Sequence, residues 1–262
     1  MKALDGNQIQ NLRAVIDVGS NSVKLLVAEV AAGDVTPVVH EGEQTRLGRG
    51  VFDTGKLDAE AIVQTAFVAG RFAEKARRMG AVEVKAVATS AAREARNGMD
   101  LIEAFREVNV PLTIIEGDRE AELVLRGVRS HSDFSDGPLA IIDVGGGSTE
   151  LLVADETGLR LQHSFPLGTV RLLEQHRLSD PPAAPERAKV IEALDQFLDD
   201  QVTPLLGTVA LPGMLVGAGG TPVFLSRILK ERDDLDATEL EALSWLSVSY
   251  THLTLPTKSS GG

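Results

Sequence analysis

The chain has 262 residues and a mass of 27.9 kDa, with 43% hydrophobic, 24% charged and only 4% aromatic residues, the composition of an Ala/Val/Leu-built globule for which two domains are expected. A net charge of −12 and a pI near 4.9 argue against extended nucleic-acid binding; the lack of cysteine excludes disulfides and thiolate chemistry, so any metal must sit on oxygen or imidazole, and oxygen favours magnesium. No apolar stretch approaches the roughly 20 residues of a membrane span, and residues 1–10 carry no apolar signal-peptide core, so a cytoplasmic protein without membrane contact is expected.

In chain order, Ala14–Asp17 reads as a buried strand and Val23–Val30 as its partner across the turn Val18–Ser22. Pro37–Glu43 is a third strand, and Gln44–Lys56 a polar loop rich in glycine. From Asp58 the positions Ile62, Ala66, Phe67, Phe72, Ala73, Ala76 and Met79 follow helical spacing up to a capping Gly80. Val82–Ala88 alternates as a strand, Asp100–Val108 reads as a helix, Leu112–Ile115 as a short strand and Gly117–Arg129 as a helix. Leu139–Asp143 then begins the pattern again, with a glycine turn and strands at Thr149–Ala154 and Leu159–Phe165. A proline cluster at Leu178–Pro185 has helical flanks; a long helix is expected at Glu186–Leu205, then the strand Met214–Val216, the turn Gly217–Thr221 and a helix from Pro222 to Leu229. Alternating strands and helices give an α/β fold.

The two turns are nearly one phrase written twice. Asp17-Val-Gly-Ser-Asn-Ser22 and Asp143-Val-Gly-Gly-Gly-Ser-Thr-Glu150 are offset by 126 residues, a weak internal repeat that a duplicated fold would explain. Glycine and serine let backbone N–H groups approach one phosphate, and an adjacent carboxylate can hold magnesium. On this reading Asp17, Asp143 and Glu150 are metal candidates. Gly19, Ser20, Asn21 and Ser22 on one turn, and Gly145, Gly146, Gly147, Ser148 and Thr149 on the other, are phosphate candidates. Either turn alone is better explained as a tight hairpin; as a pair they favour a phosphate clamp. Neither is a Walker A loop, and Gly217–Thr221 lacks the full dinucleotide spacing. Glu120, in the first turn of its helix, suits a water-activating base, or simply decorates an acidic helix start. Arg93, just past a strand end, suits a phosphate, as does Arg46 more weakly; surface arginines beside a capped helix are the alternative. The five histidines show no metal-ligand spacing.

Six phrases in order resemble the exopolyphosphatase and guanosine pentaphosphate phosphohydrolase family, within the actin, hexokinase and Hsp70-like superfamily. They are Ile16–Ser22, Ala88–Arg93, Gly117–Leu123, Ile142–Glu150, Phe165–Leu172 and Gly217–Thr221. The resemblance implies two ribonuclease-H-like (actin-like ATPase) domains with the active site in the cleft between them. The expected limits are 1–130 for the first domain and 131–247 for the second, which should be incomplete after Trp245, where the resemblance fades. It implies Glu120 as the base that activates water, Asp143 and Glu150 at the magnesium and phosphate site, the two turns as phosphate loops and Arg93 as a cleft arginine. The reaction implied is attack of water on a terminal phosphoryl group of inorganic polyphosphate. Guanosine pentaphosphate is the alternative substrate, and an alarmone sensor without turnover the alternative class. Monomer or homodimer stays open. Glu116 departs from the serine often found before the catalytic helix. Finally, Val248–Thr257 resembles a translated sequencing adapter, so residues 248–262 are expected to be a non-native tail; an ordinary Thr-rich strand is the other reading.

Overall fold

A computed structural model describes residues 12–31, 34–179, 181–223, 225, 244–246 and 250–254. The chain divides into two compact units: one runs to Val51 and resumes from Gly55 to Ile115, and the other takes Phe52–Thr54 and the chain from Glu116 onward.

The first unit opens with strand β1 (Leu12–Val18), whose Leu12, Ala14, Ile16 and Val18 are buried while Arg13, Val15 and Asp17 face the other way. That alternation is the period-2 signature of a strand with one covered face. Strands β2 (Ser22–Ala31) and β3 (Asp34–Gln44) follow as antiparallel hairpin partners. Pro37 is tolerated inside β3 because this is an edge strand and Pro37 lies opposite Ala28, where the register with β2 shifts. After the single turn α1 (Val51–Thr54), helix α2 (Ala59–Arg78) starts where the Asp58 carboxylate accepts the Ala61 N–H at 3.0 Å. It buries Ile62, Ala66, Ala69, Ala73 and Ala76, and left-handed Gly80 follows its end. Strand β4 (Glu83–Ala88), helices α3 (Ser90–Glu94) and α4 (Gly98–Glu107) and strand β5 (Leu112–Ile114) complete the unit. The sheet order is β3-β2-β1-β4-β5, with β4 parallel to β1 and β5 parallel to β4.

The second unit contains helix α5 (Gly117–Arg129), strands β6 (Leu139–Val144), β7 (Thr149–Asp155) and β8 (Gly158–Phe165), helices α6 (Thr169–His176), α7 (Ala184–Phe197) and α8 (Thr203–Leu206), and strands β9 (Met214–Ala218), β10 (Ser244–Leu246) and β11 (Tyr250–Thr254). Its sheet order is β10-β11-β9-β6-β7-β8, with β6, β7 and β8 antiparallel and β9 parallel to β6. Three antiparallel strands beside a parallel fourth therefore occur in the same order in both units, the ribonuclease-H-like arrangement twice over. Leu139, Ile141, Leu152 and Val216 of this sheet pack with Ala121 and Val128 of α5 and with Phe134.

Several expectations shift. The units part at Ile115/Glu116 rather than at 130/131, because the apolar face of α5 closes over the second sheet and Gln162 of β8 donates to the Asp118 carbonyl at 2.8 Å. The polar stretch 44–56 contains α1, set between left-handed Gly50 and Gly55. The long helix begins at Ala184 and is widened by a π turn over Leu198–Val202 before α8, next to Pro204, which has no N–H to continue the ladder. Residues 220–223 are helical, and the rest of the helix expected to Leu229 lies mostly outside the described residues. Of the tail 248–262, only 250–254 are described, paired with β9; main-chain ladder bonds of this kind do not depend on the origin of the side chains. No helix among the described residues is long and apolar enough to cross a membrane.

Leu152 is fully buried in the second core. Its replacement by Ala should cost about 2–5 kcal/mol in equilibrium urea unfolding, the range for a buried leucine whose cavity collapses only in part.

Candidate functional site

Both glycine turns close with the same bond. The Gly19 N–H donates to the Ser22 carbonyl at 3.0 Å, and 126 residues on, the Gly145 N–H donates to the Ser148 carbonyl at 3.0 Å. Each turn then surrenders its remaining carbonyls to a segment that follows the third strand of its own sheet. In the first turn the Asn21 carbonyl accepts from the N–H groups of Thr45 and Arg46, at 3.2 and 3.0 Å, and the Ser20 carbonyl from Gly48 at 2.7 Å. Arg46 takes a left-handed conformation (φ 53°), which redirects the chain just after its N–H.

In the second turn the donors are the first N–H groups of α6. Thr169 donates to the Gly145 carbonyl at 3.1 Å, and Val170 and Arg171 to the Gly146 carbonyl at 2.8 and 3.1 Å. These are amides that a helix start leaves without intrahelical partners, and the N-cap Gly168 offers no side chain to satisfy them. The Gly147 carbonyl is taken by the Arg171 guanidinium, whose Nε lies at 2.9 Å. Because a trans peptide points its N–H opposite to its carbonyl, turning these three carbonyls toward α6 aims the N–H groups of Gly146, Gly147 and Ser148 the other way. A glycine backbone with its acceptors withdrawn and its donors outward is an anion-binding surface.

The carboxylates gather behind that turn. Asp143 on β6 stands directly opposite Glu150 on β7, which stands opposite Ser164 on β8. Glu150 is buried, at 2% exposure, and accepts hydroxyl hydrogen bonds from Ser164 at 2.7 Å and from Ser148. Burial, then the charges of Glu120 and Asp143, push its pKa up to about 8, with the two serines opposing. Glu120 sits half-buried in the first turn of α5. The Asp143 carboxylate lies against Gly219, where an added Cβ would come within 2.2 Å of Oδ1; left-handed Gly219 (φ 85°) is therefore the space that Asp143 occupies. Thr149 turns its hydroxyl to the Leu167 carbonyl at 2.6 Å rather than outward.

In the first unit the position matching Glu150 is Lys24. Asp17 pairs across the hairpin with Lys24, Nζ to Oδ2 3.9 Å, and desolvation raises the Asp17 pKa against that cation's pull. Arg93, on α3, donates to the Ile115 carbonyl at 2.9 Å and so ties the end of β5 to the strand-end position beyond β4. Among the described residues no three acidic or histidine side chains form a ready cage for a metal ion. The charges of Glu120 and Asp143 both act on Glu150, and carboxylate oxygen is the donor type that a hard divalent cation takes. Ser164 was not singled out in the sequence; Gly168 and Arg171 fell within the phrase Phe165–Leu172 and Gly219 within the turn Gly217–Thr221, none of them with an individual role.

Two outcomes follow from this geometry. A Cβ on Gly168 would lie 2.4 Å from the Gly146 oxygen and 2.6 Å from the Gly147 nitrogen, both backbone, so Gly168→Ala should cost roughly 1–3 kcal/mol by urea denaturation, while Gly213→Ala, with nothing within 4 Å, should leave stability unchanged. Glu150 binds its proton more tightly folded, at about 8, than at its ordinary 4.5, so its contribution to stability is lost as pH rises through that window. Thermal denaturation in chelator should show a falling midpoint between those values, and Glu150→Gln should flatten it.

A model of the Ppx/GppA phosphatase family matches residues 26–253. The chain is 33% identical over 239 residues to exopolyphosphatase 2 of Mycobacterium tuberculosis, covering 87% of this chain and 73% of that one. It is 29% identical to a guanosine-5'-triphosphate,3'-diphosphate pyrophosphatase of Pseudoalteromonas atlantica, over 92% of this chain and 47% of that protein. Among solved structures, an exopolyphosphatase from Cytophaga hutchinsonii superposes with a TM-score of 0.76 at 28% identity, covering 87% and 73% of the two chains. The Aquifex aeolicus Ppx/GppA protein superposes with a TM-score of 0.67 at 28% identity, covering 88% and 73%. The doubled sheet order and the length matched in sequence and structure carry one conclusion: the chain belongs to the Ppx/GppA phosphatase family.

Proposed function

We propose that the protein is an exopolyphosphatase, hydrolysing the terminal phosphoanhydride of inorganic polyphosphate. The observation that carries the reading is the second turn, with the carbonyls of Gly145, Gly146 and Gly147 withdrawn toward 169–171 and the carboxylates of Glu120, Asp143 and Glu150 in one electrostatic group. The exopolyphosphatase relative at 33% identity supports it.

In this reading the outward N–H groups of Gly146, Gly147 and Ser148 hold phosphoryl oxygens, and Ser20, Asn21 and Ser22 of the first turn are further phosphate contacts, the Gly19 N–H being spent on the Ser22 carbonyl. Arg93 adds a guanidinium. Glu120 accepts a proton from the attacking water as its oxygen bonds to phosphorus; the phosphoanhydride bond breaks, orthophosphate leaves, and the chain is one phosphate shorter. Asp143 and Glu150 would hold a divalent cation, expected to be magnesium, with Asp17 as a further carboxylate. Such an ion would neutralise charge on the transferred group.

Guanosine pentaphosphate is a second substrate of the same chemistry, favoured by the Pseudoalteromonas relative, of whose length this chain spans 47%. Phosphate release should be measured from short and long polyphosphate and from guanosine pentaphosphate, with magnesium and with chelator, beside Glu120→Gln. Polyphosphate should be the better substrate, activity should need the cation, and Glu120→Gln should lose about 10²–10⁴-fold in kcat. Full activity in that variant would sink the base assignment, and tight alarmone binding without release from any substrate would replace hydrolysis by sensing.

A further inference from the structure

We infer that Arg171 is a positioning residue for the second glycine turn, its side chain standing in for the pair of backbone donors that hold the first. The internal repeat makes the comparison direct. At the offset of 126, Asn21 corresponds to Gly147, and the Asn21 carbonyl is fixed by two backbone N–H groups, those of Thr45 and Arg46. The Gly147 carbonyl receives no backbone donor among the described residues and is held by Arg171 Nε at 2.9 Å.

Arg171 is built for this task. It is 8% exposed, and its guanidinium carbon lies 3.9 Å from the centre of the Phe52 ring, a residue that groups with the second unit. A cation withdrawn from water is costly unless it is hydrogen-bonded, and stacking on an aromatic face offsets part of that cost. The planar guanidinium fixes the direction of its Nε–H in a way that a flexible ammonium cannot. Since the peptide joining Gly147 to Ser148 is planar, holding its oxygen toward α6 holds the Ser148 N–H outward. Released, that peptide could rotate and turn a carbonyl toward an anion. The role of Arg171 in activity rests on the phosphate-binding reading proposed above; its control of the turn does not.

Two variants of the full chain test it, Arg171→Ala and Arg171→Lys, the second keeping a cation of similar reach over Phe52. Hydrogen exchange followed by mass spectrometry on the peptide spanning 145–150 should speed up at least several-fold in both, whether or not the protein turns over any substrate. The KM for polyphosphate should rise about 10- to 100-fold, as expected for losing one hydrogen bond to a charged group, with a smaller change in kcat. Millimolar guanidinium should restore KM in Arg171→Ala but not in Gly168→Ala, where the same turn is displaced sterically. Unchanged exchange at 145–150, or a wild-type KM in a folded Arg171→Lys, would overturn the inference. Absence of activity in the wild-type protein, with exchange still accelerated in the variants, would instead remove the proposed function and leave the positioning role standing.

Discussion

Every peptide carries an acceptor as well as a donor, and a loop that is to meet an anion must dispose of its carbonyls first. That constraint shapes both units. Strand order places the glycine turn at the end of the first strand, and the segment leaving the third strand returns beside it to donate to the carbonyls, through residues 45–48 in one unit and 169–171 in the other. Gly48 and Gly168 are the consequence: an added Cβ would meet Ser20 at 2.8 Å and Gly146 at 2.4 Å, so the clasp closes only where no side chain intervenes. The sheets exist in both units to bring these distant segments together.

Where the copies diverge is charge. The rung that pairs Asp17 with Lys24 in the first unit pairs Asp143 with Glu150 in the second. Opposite charges across a rung stabilise a sheet and like charges oppose it, so the first turn is balanced by its own residues while the second carries buried acid in excess. Ser164 and Ser148 offset part of that by hydrogen bonding to Glu150, and Gly219 relieves the crowding on Asp143. Lysine in one copy and glutamate in the other thus leave the rung opposite in charge in the first unit and like in charge in the second.

Strands β1 to β9, α2, α4 and α5, and the presence of two matched turns, could be read from the sequence because each is written in local periodicity or in a repeated phrase. What could not be read depends on partners far along the chain. Arg171 reaches Gly147 across 24 residues, and nothing in Gly168-Thr-Val-Arg171 announces which carbonyl it serves. Gly219 reads in the sequence only as part of a turn before a helix, and its closeness to Asp143 is not written there. The amphipathic face of α5 announced a helix but not the sheet it covers, so the division between units was placed about one helix too late. Thr149, named from the motif as a phosphate donor, instead gives its hydroxyl to Leu167, a contact set by the fold rather than by the phrase.

The left-handed Arg46 gives the first turn a different vulnerability from the second. Its two donors come from the main chain, so most single-residue replacements at Thr45 or Arg46 leave an N–H in place, proline excepted. Holding an L-residue in that conformation costs roughly 1–2 kcal/mol, a standing charge on the fold whatever the side chain. The second turn carries no such strain at Arg171 but entrusts one carbonyl to a side chain that a single codon change can delete. Across a population of sequence variants, the first turn should therefore change slowly and in its backbone, while the second can be retuned in one step.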